Sequence, residues 1–237
     1  MVKPLVVLPT YNEIENIEDV LSKIRQFLPE ASILVVDDNS PDRTADRAKE
    51  LGNKLGNIEV MVRNSKSGLG SAYRAGFKWG IENGFDILIE MDADLSHDPA
   101  SLSSLVEPFK ENYDLVIGSR YIPGGHIPNW PWYRKYLSRY GNIYANVMLR
   151  LKVNDSTAGF RAYSVDLIKK IDLDSVQAEG YGFQIEMTYM ASKLNSRIKE
   201  VPISFVDRER GTSKMSLKIT VEALWLVTKW GFSKKKS

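Results

Sequence analysis

No cysteine occurs in this chain, and only two histidines do. The first absence excludes disulfides, thiolate metal sites and a cysteine nucleophile, and it suits a reducing compartment. His97 and His126 show no paired spacing with a further ligand, so both read as structural or exposed residues. No Ser/His/Asp set gives a nucleophilic hydrolase an anchor. Charge of one sign is not in excess either: 32 basic residues against 30 acidic ones leave +2, so nucleic acid is not an expected partner. No stretch offers about 18 uncharged apolar residues, so a membrane-spanning helix is not expected. The start of the chain runs straight into Leu5-Val6-Val7-Leu8 without a basic and apolar leader, so no signal peptide is expected either.

What is present is a globular composition. Hydrophobic residues make up 43% of 237, and the length fits one α/β domain or one plus a small appendage. Apolar runs at Leu5–Leu8, Ile33–Val36, Ile58–Val62, Ile87–Met91 and Leu115–Ile117 read as strands. Helical patterns lie between them near Ile14–Phe27, Thr44–Leu55, Leu69–Asn83 and Ser101–Phe109. The alternation predicts a doubly wound, mostly parallel α/β sheet with ligands at the carboxyl ends of its strands. The stretch from Tyr121 to Trp132 is rich in Pro and Gly and reads as a functional loop. Helices are predicted again at Arg134–Leu151 and Phe183–Leu194, then a strand over Ile198–Val206. A last helix over Met215–Phe232 ends in Lys234-Lys235-Lys236, which divides the chain into a body, 1–214, and an amphipathic helix with a basic tail, 215–237.

The strand ends carry the chemistry. Asp92-Ala93-Asp94 closes the run Ile87–Met91, and two carboxylates one residue apart suit a hard divalent cation whose shell phosphate oxygens complete. Pro9-Thr10-Tyr11-Asn12-Glu13 and Asp37-Asp38-Asn39-Ser40-Pro41-Asp42 follow the first two strands. Helix capping accounts for Asn12, Ser40 or Asp42, but not for Tyr11 with Glu13 or Asp37 with Asp38. A nucleoside site would use the ring for stacking and the carboxylates for base and ribose donors. Lys66-Ser67-Gly68-Leu69-Gly70-Ser71 opens a helix and offers amides to a phosphate, although close packing explains its glycines equally well. It is neither a Walker A loop nor a dinucleotide fingerprint, since Tyr73 stands where the third small residue belongs. Asp155 and Glu186 suit a general base or, as readily, a cap or an arginine partner.

Arg120, Arg134, Arg139, Arg161, Arg208, Arg210 and Lys214 recur at positions that face a ligand in this arrangement. Arg120 and Arg161 fit a plain solvated surface least, because apolar or glycine-rich sequence surrounds them. Several such forks would be needed to hold a diphosphate and a second phosphate together.

In chain order, Val7-Leu8-Pro9-Thr10-Tyr11-Asn12-Glu13, Asp37-Asp38, Gly68-Leu69-Gly70, Asp92-Ala93-Asp94-Leu95-Ser96-His97, Gly118-Ser119-Arg120-Tyr121, Gly159-Phe160-Arg161, Gly180-Tyr181-Gly182-Phe183-Gln184, Val201-Pro202-Ile203-Ser204-Phe205 and Gly211-Thr212-Ser213-Lys214 resemble family 2 glycosyltransferases. Among these the resemblance is greatest to the dolichol-phosphate (polyprenol-phosphate) mannosyltransferases, from about Leu5 to Lys214. It implies a GT-A fold, a GDP-mannose donor, a polyprenyl or dolichyl phosphate acceptor, and Mg2+ or Mn2+. Carried over, Pro9, Tyr11, Glu13, Val36 and Asp38 would hold the nucleoside, and Asp92, Ala93 and Asp94 the ribose and metal–diphosphate. Asp92, Asp94 and Ser96 would form or flank the metal shell, with Asp94 its principal ligand. Arg120, Arg208 and Lys214 would grip phosphates, and Arg134 and Ser138 would face the acceptor.

The implied reaction needs no base, because a phosphate monoester with a second pKa near ~6 is already largely dianionic at neutral pH. An enzyme on the cytoplasmic face of a membrane is implied, its last helix lying in the interface or received by a separate membrane-anchoring subunit. The alternatives are a UDP-glucose-dependent polyprenyl-phosphate glucosyltransferase, a sugar-phosphate nucleotidyltransferase and a non-catalytic sugar-nucleotide-binding subunit.

Overall fold

The computed structural model describes residues 2–66, 68–207 and 217–233. Seven strands form one sheet: β1 (Pro4–Thr10), β2 (Ser32–Asp37), β3 (Ile58–Val62), β4 (Ile87–Glu90), β5 (Leu115–Ser119), β6 (Arg161–Ser164) and β7 (Ile198–Pro202). Their spatial order is β3-β2-β1-β4-β6-β5-β7. All neighbours run parallel except β6, which is antiparallel to both β4 and β5. The chain therefore reverses its direction of travel across the sheet between β1 and β4, and a crevice opens at their carboxyl ends.

The helices are α1 (Ile17–Phe27), α2 (Thr44–Leu55), α3 (Leu69–Glu82), α4 (Leu102–Val106), α5 (Trp132–Leu149), α6 (Val165–Lys170), α7 (Tyr181–Lys193) and α8 (Leu217–Ser233). Successive strand residues point to opposite faces. Val6, Leu8, Ile33 and Val35 pack with Ile17, Val20, Leu21 and Ile24 of α1, a spacing that gives one helix face to the core. Leu5, Val7, Leu34 and Val36 pack on the other side with α3, α5 and α7. A Cβ on Gly76 would approach Val7 Cγ1, and one on Gly80 would lie 2.5 Å from Leu88 Cδ2. Two glycines thus let α3 sit close against β1 and β4, which brings its first turn to the crevice.

All predicted strands and helices are present, with three differences. β6 and α6 were not expected, and the last strand is shorter. The regular pairing of β7 stops at Pro202, which has no amide to donate, and only isolated bridges follow at Ser204 and Phe205. The final helix is docked: Ala223 and Val227 are buried, Trp230 stacks on Tyr189 of α7, and Tyr144 of α5 bonds Thr228 at 2.6 Å. Among the described residues no helix is long and apolar enough to cross a membrane.

Two buried ionisable residues stand side by side on β4 and β6. Glu90 stands across from Arg161 in the register, and its carboxylate accepts from Gln184 Nε2 at 2.7 Å. Burial pushes the Glu90 carboxyl up to about 7, against the pull of Arg161, Gln184 and Tyr163. Its folded pKa lies above the unfolded value of 4.5, so the native state binds more protons between the two. Stability should therefore fall as pH rises through that window, by about 3 kcal/mol in all. Urea unfolding at about pH 5 and about pH 8 is expected to reveal this loss in the natural chain and a much flatter profile in Glu90→Gln. Parallel pH profiles for the two proteins would contradict it.

Candidate active site

The crevice contains two compartments. The first, of about 290 Å³, is lined by Pro9, Thr10, Tyr11, Glu13, Asp38, Lys66, Asp92, Ala93, Asp94 and Glu179 among others. The second, of about 260 Å³, is lined by Asp92, Asp94, Ser96, His97, Arg120, Trp130, Arg134, Tyr181, Gln184 and Asp207 among others. Leu69, Asp92, Asp94 and Gly180 belong to both. The two carboxylates that end β4 are therefore the partition between the chambers.

In the first chamber, Tyr11 follows β1 and carries Lys66 Nζ 4.3 Å above its ring. Asp38 follows β2 and is gripped by Arg63, whose Nε donates to it at 2.6 Å while Nη1 donates to Ser71 at 2.7 Å. Glu13 accepts from Asn16 Nδ2 at 2.9 Å. Asp37, next to Asp38 in the chain, serves the loop, accepting from Thr10 Oγ1 and from the amide and hydroxyl of Ser40. Asp42 likewise caps, taking the Thr44 amide and hydroxyl.

At the partition, Tyr73 Oη donates to Asp92 Oδ1 at 3.3 Å, and burial holds this phenol well above its usual pKa, so it stays a donor. The Asp92 amide donates to His97 Nδ1 at 3.0 Å, which fixes the proton of a neutral His97 on Nε2. Burial lowers the His97 pKa, and its ring stacks on Phe160 with centroids 4.9 Å apart. Asp94 Oδ1 accepts both the amide and the hydroxyl of Ser96, at 3.0 and 2.5 Å. Leu95 makes this possible by taking a left-handed φ of 63°. The Ser96 hydroxyl is thus a hydrogen-bond donor to the Asp94 carboxylate.

In the second chamber Arg120 is anchored. Its Nε and Nη2 donate to the two oxygens of Asp155 at 2.7 Å each, and Nη2 reaches Thr157 Oγ1 at 2.8 Å. Burial alone would lower its pKa, but Asp155 more than offsets this and the guanidinium stays charged. Arg134 packs 3.9 Å from the Trp130 ring and pairs with Asp207.

Several expectations change. Val36 is fully buried and does not line the first chamber; its side chain faces Gly76 on α3, because strand alternation turns it from the crevice into the core. Ser138 lines neither chamber, and its hydroxyl takes the Tyr121 proton at 2.7 Å. Arg161 does not face a ligand: it is fully buried and donates to the carbonyls of Ser156, Ala158 and Gln184 and to Thr188 Oγ1. The helix-entry amides of Gly70 and Ser71 are not open to phosphate, because the Glu179 carboxylate accepts both, at 2.7 and 3.1 Å. Asp155 is the partner of Arg120, and Glu186 lines neither chamber but accepts the Ala178 amide. Arg208, Arg210 and Lys214 lie outside the described residues.

Tyr73, Arg63, Trp130, Glu179 and Asp207 were not assigned from sequence. Tyr73 alone left a trace, as a tyrosine on the apolar side of a helix where a small residue was sought.

Among the described residues no group of three or more His, Asp or Glu side chains is arranged to hold a metal. The donor set at the partition is two carboxylates, which fits Mg2+ or Mn2+ when phosphate oxygens and water supply the remaining positions.

The chain is similar to known proteins along most of its length. The family described as "Glycosyl transferase family 2" matches residues 5–172. The chain is 50% identical to undecaprenyl-phosphate mannosyltransferase of Micrococcus luteus over 97% of its own length and 94% of that protein's. It is 46% identical to polyprenol monophosphomannose synthase of Mycolicibacterium smegmatis, over 97% and 87%. Dolichol-phosphate mannosyltransferase of Pyrococcus furiosus is 37% identical, over 96% of this chain and 64% of that one. Among solved structures, glucosyl-3-phosphoglycerate synthase of Mycobacterium tuberculosis, crystallised with Mn2+, UDP and glucosyl-3-phosphoglycerate, superposes with a TM-score of 0.70. It is 22% identical and covers 98% of this chain and 80% of its own, a likeness of the GT-A fold. A family match over most of the chain and relatives up to half identical across nearly its full length have one meaning: this chain belongs to glycosyl transferase family 2.

Proposed function

We propose that this chain transfers mannose from GDP-mannose to a polyprenyl monophosphate, with inversion, giving polyprenyl-phosphate mannose and GDP. The names of its relatives support the sugar and the lipid phosphate. The single observation that carries the chemistry is the partition at Asp92 and Asp94, with a nucleoside-sized chamber on one side and an arginine-lined one on the other. Guanine suits the first chamber. Its Watson–Crick edge presents adjacent N1–H and N2–H donors to a carboxylate such as Asp38 or Glu13, whereas uracil presents one.

Asp94, assisted by Asp92, would hold Mg2+ or Mn2+, which when bound offsets the charge of a leaving diphosphate. An oxygen of the acceptor phosphate attacks the anomeric carbon, the bond from that carbon to the diphosphate breaks, and GDP leaves with the electron pair. No proton has to be removed from a dianionic nucleophile. In keeping with this, the buried Asp155 is committed to Arg120. Arg120 serves as a fixed cation that offsets phosphate repulsion without reorganising. Arg208 and Lys214 would add charge from the segment that follows Asp207.

A lipid acceptor calls for a membrane-facing surface. On α5, Trp132, Tyr136 and Tyr140 form an exposed ladder with ring centroids 6.0 and 6.1 Å apart, flanked by exposed Tyr133, Leu137, Ile143 and Val147. On α8, Val221, Leu224, Trp225 and Phe232 are exposed. Aromatic rings beside lysine and arginine suit the headgroup interface. An open groove containing Arg120, Tyr121, Lys135, Tyr136 and Arg139 adjoins both this ladder and the second chamber, a path for a phosphate with an apolar tail.

A panel of GDP-mannose, UDP-glucose and GDP-glucose with a short polyprenyl phosphate and metal tests the donor. Mannose alone should enter the organic phase, with Asp94→Ala lowering turnover by at least about 100-fold; equal transfer from UDP-glucose would overturn the reading. For the surface, Trp132→Ala/Tyr136→Ala/Tyr140→Ala should weaken binding to vesicles containing anionic lipid by about tenfold or more. Unchanged sedimentation with vesicles would count against it.

A further inference from the structure

Two guanidinium groups face the second chamber, and each already has a carboxylate. The pairs differ. Arg120 and Asp155 are sealed, with side-chain exposures of 4% and 0%, and meet fork to fork at 2.7 Å. Arg134 and Asp207 are open, at 37% and 43%. A single nitrogen of Arg134, Nη1, straddles both Asp207 oxygens at 3.1 and 3.0 Å, so the fork is not used. The guanidinium is held instead by the Trp130 ring beside it. An exposed pair of this geometry is weak, while the bidentate grip of arginine on a doubly charged phosphate is strong.

We infer that Asp207 is a selectivity element of the acceptor side, occupying Arg134 until a phosphate monoester displaces it and excluding singly charged phosphodiesters. The inference rests on the reading of the second chamber as the acceptor's. A monoester brings a charge of about −1.5 to −2 at neutral pH, enough to replace one carboxylate on a guanidinium. A phosphodiester headgroup brings a single charge, no more than Asp207 itself has, and gains little by the exchange. An enzyme working at a surface crowded with phosphodiester lipids needs this discrimination, and a carboxylate resting on the acceptor's cation supplies it.

The test uses the full chain with a short-chain polyprenyl monophosphate in neutral detergent, with and without phosphatidylglycerol in the micelles. Asp207→Asn keeps the side chain's shape and removes its charge. It should lower the acceptor KM by about two- to fivefold, with a smaller change in the donor KM, and make phosphatidylglycerol a stronger competitive inhibitor. Arg134→Ala should raise the acceptor KM, and the gain from Asp207→Asn should shrink in that background. If Arg134→Ala raises the acceptor KM but Asp207→Asn also raises it or leaves it unchanged, Asp207 merely braces Arg134 and the inference is wrong. If Arg134→Ala leaves the acceptor KM unchanged, the acceptor assignment of Arg134 itself fails, and the exchange with it.

Discussion

Holding two carboxylates one residue apart, just past the end of a buried strand, is the constraint on which this site depends. Like charges so placed repel each other. Three neighbours counter that here. Tyr73 donates to Asp92 from beneath, Ser96 gives its amide and hydroxyl to Asp94, and His97 anchors the intervening backbone through the Asp92 amide. The left-handed Leu95 is the local cost of this arrangement. The close seat of α3 on β1 and β4, permitted by Gly76 and Gly80, brings Tyr73 within reach. Core packing and site chemistry are thus one problem at this point of the sheet.

Charge balance across the partition follows the same logic. A family 2 transferase acting on a lipid phosphate must gather a diphosphate and a monophosphate in one crevice. In the function proposed above, a buried paired cation, Arg120, and an exposed one, Arg134, would divide that work. The buried pair costs desolvation but cannot wander, and the exposed pair is cheap to open. Glu179 belongs to the same economy. By accepting the amides at the start of α3 it leaves them unavailable to a phosphate.

Much of this was legible in the sequence because strand ends and helix starts leave local signals. The five first-half strands lead to such junctions, where the acidic pair and Pro9, Tyr11, Glu13 and Asp38 lie, and these residues line one chamber. β6 was not legible: Arg161-Ala162-Tyr163-Ser164 is four residues long, begins with a charge and shows no apolar run, and its partners β4 and β5 supply its stability. Arg161 misled for a related reason. Its glycine-rich neighbourhood looks like a ligand loop, yet the guanidinium satisfies carbonyls where that loop turns into the sheet. Val36 was carried over by resemblance, and only the pleat reveals which way it points. Glu179 and Asp207 act across more than seventy residues of chain, on Gly70 and on Arg134, and no spacing rule connects such pairs.

The central claim is that an acceptor phosphate on one side of Asp92 and Asp94 displaces a nucleotide on the other in a single step. The most direct measurement is the anomeric configuration of the product, read from the one-bond carbon–proton coupling of the lipid-linked mannose. With an α-linked sugar nucleotide as donor, the account predicts a β-linked product; an α-linked product would contradict it.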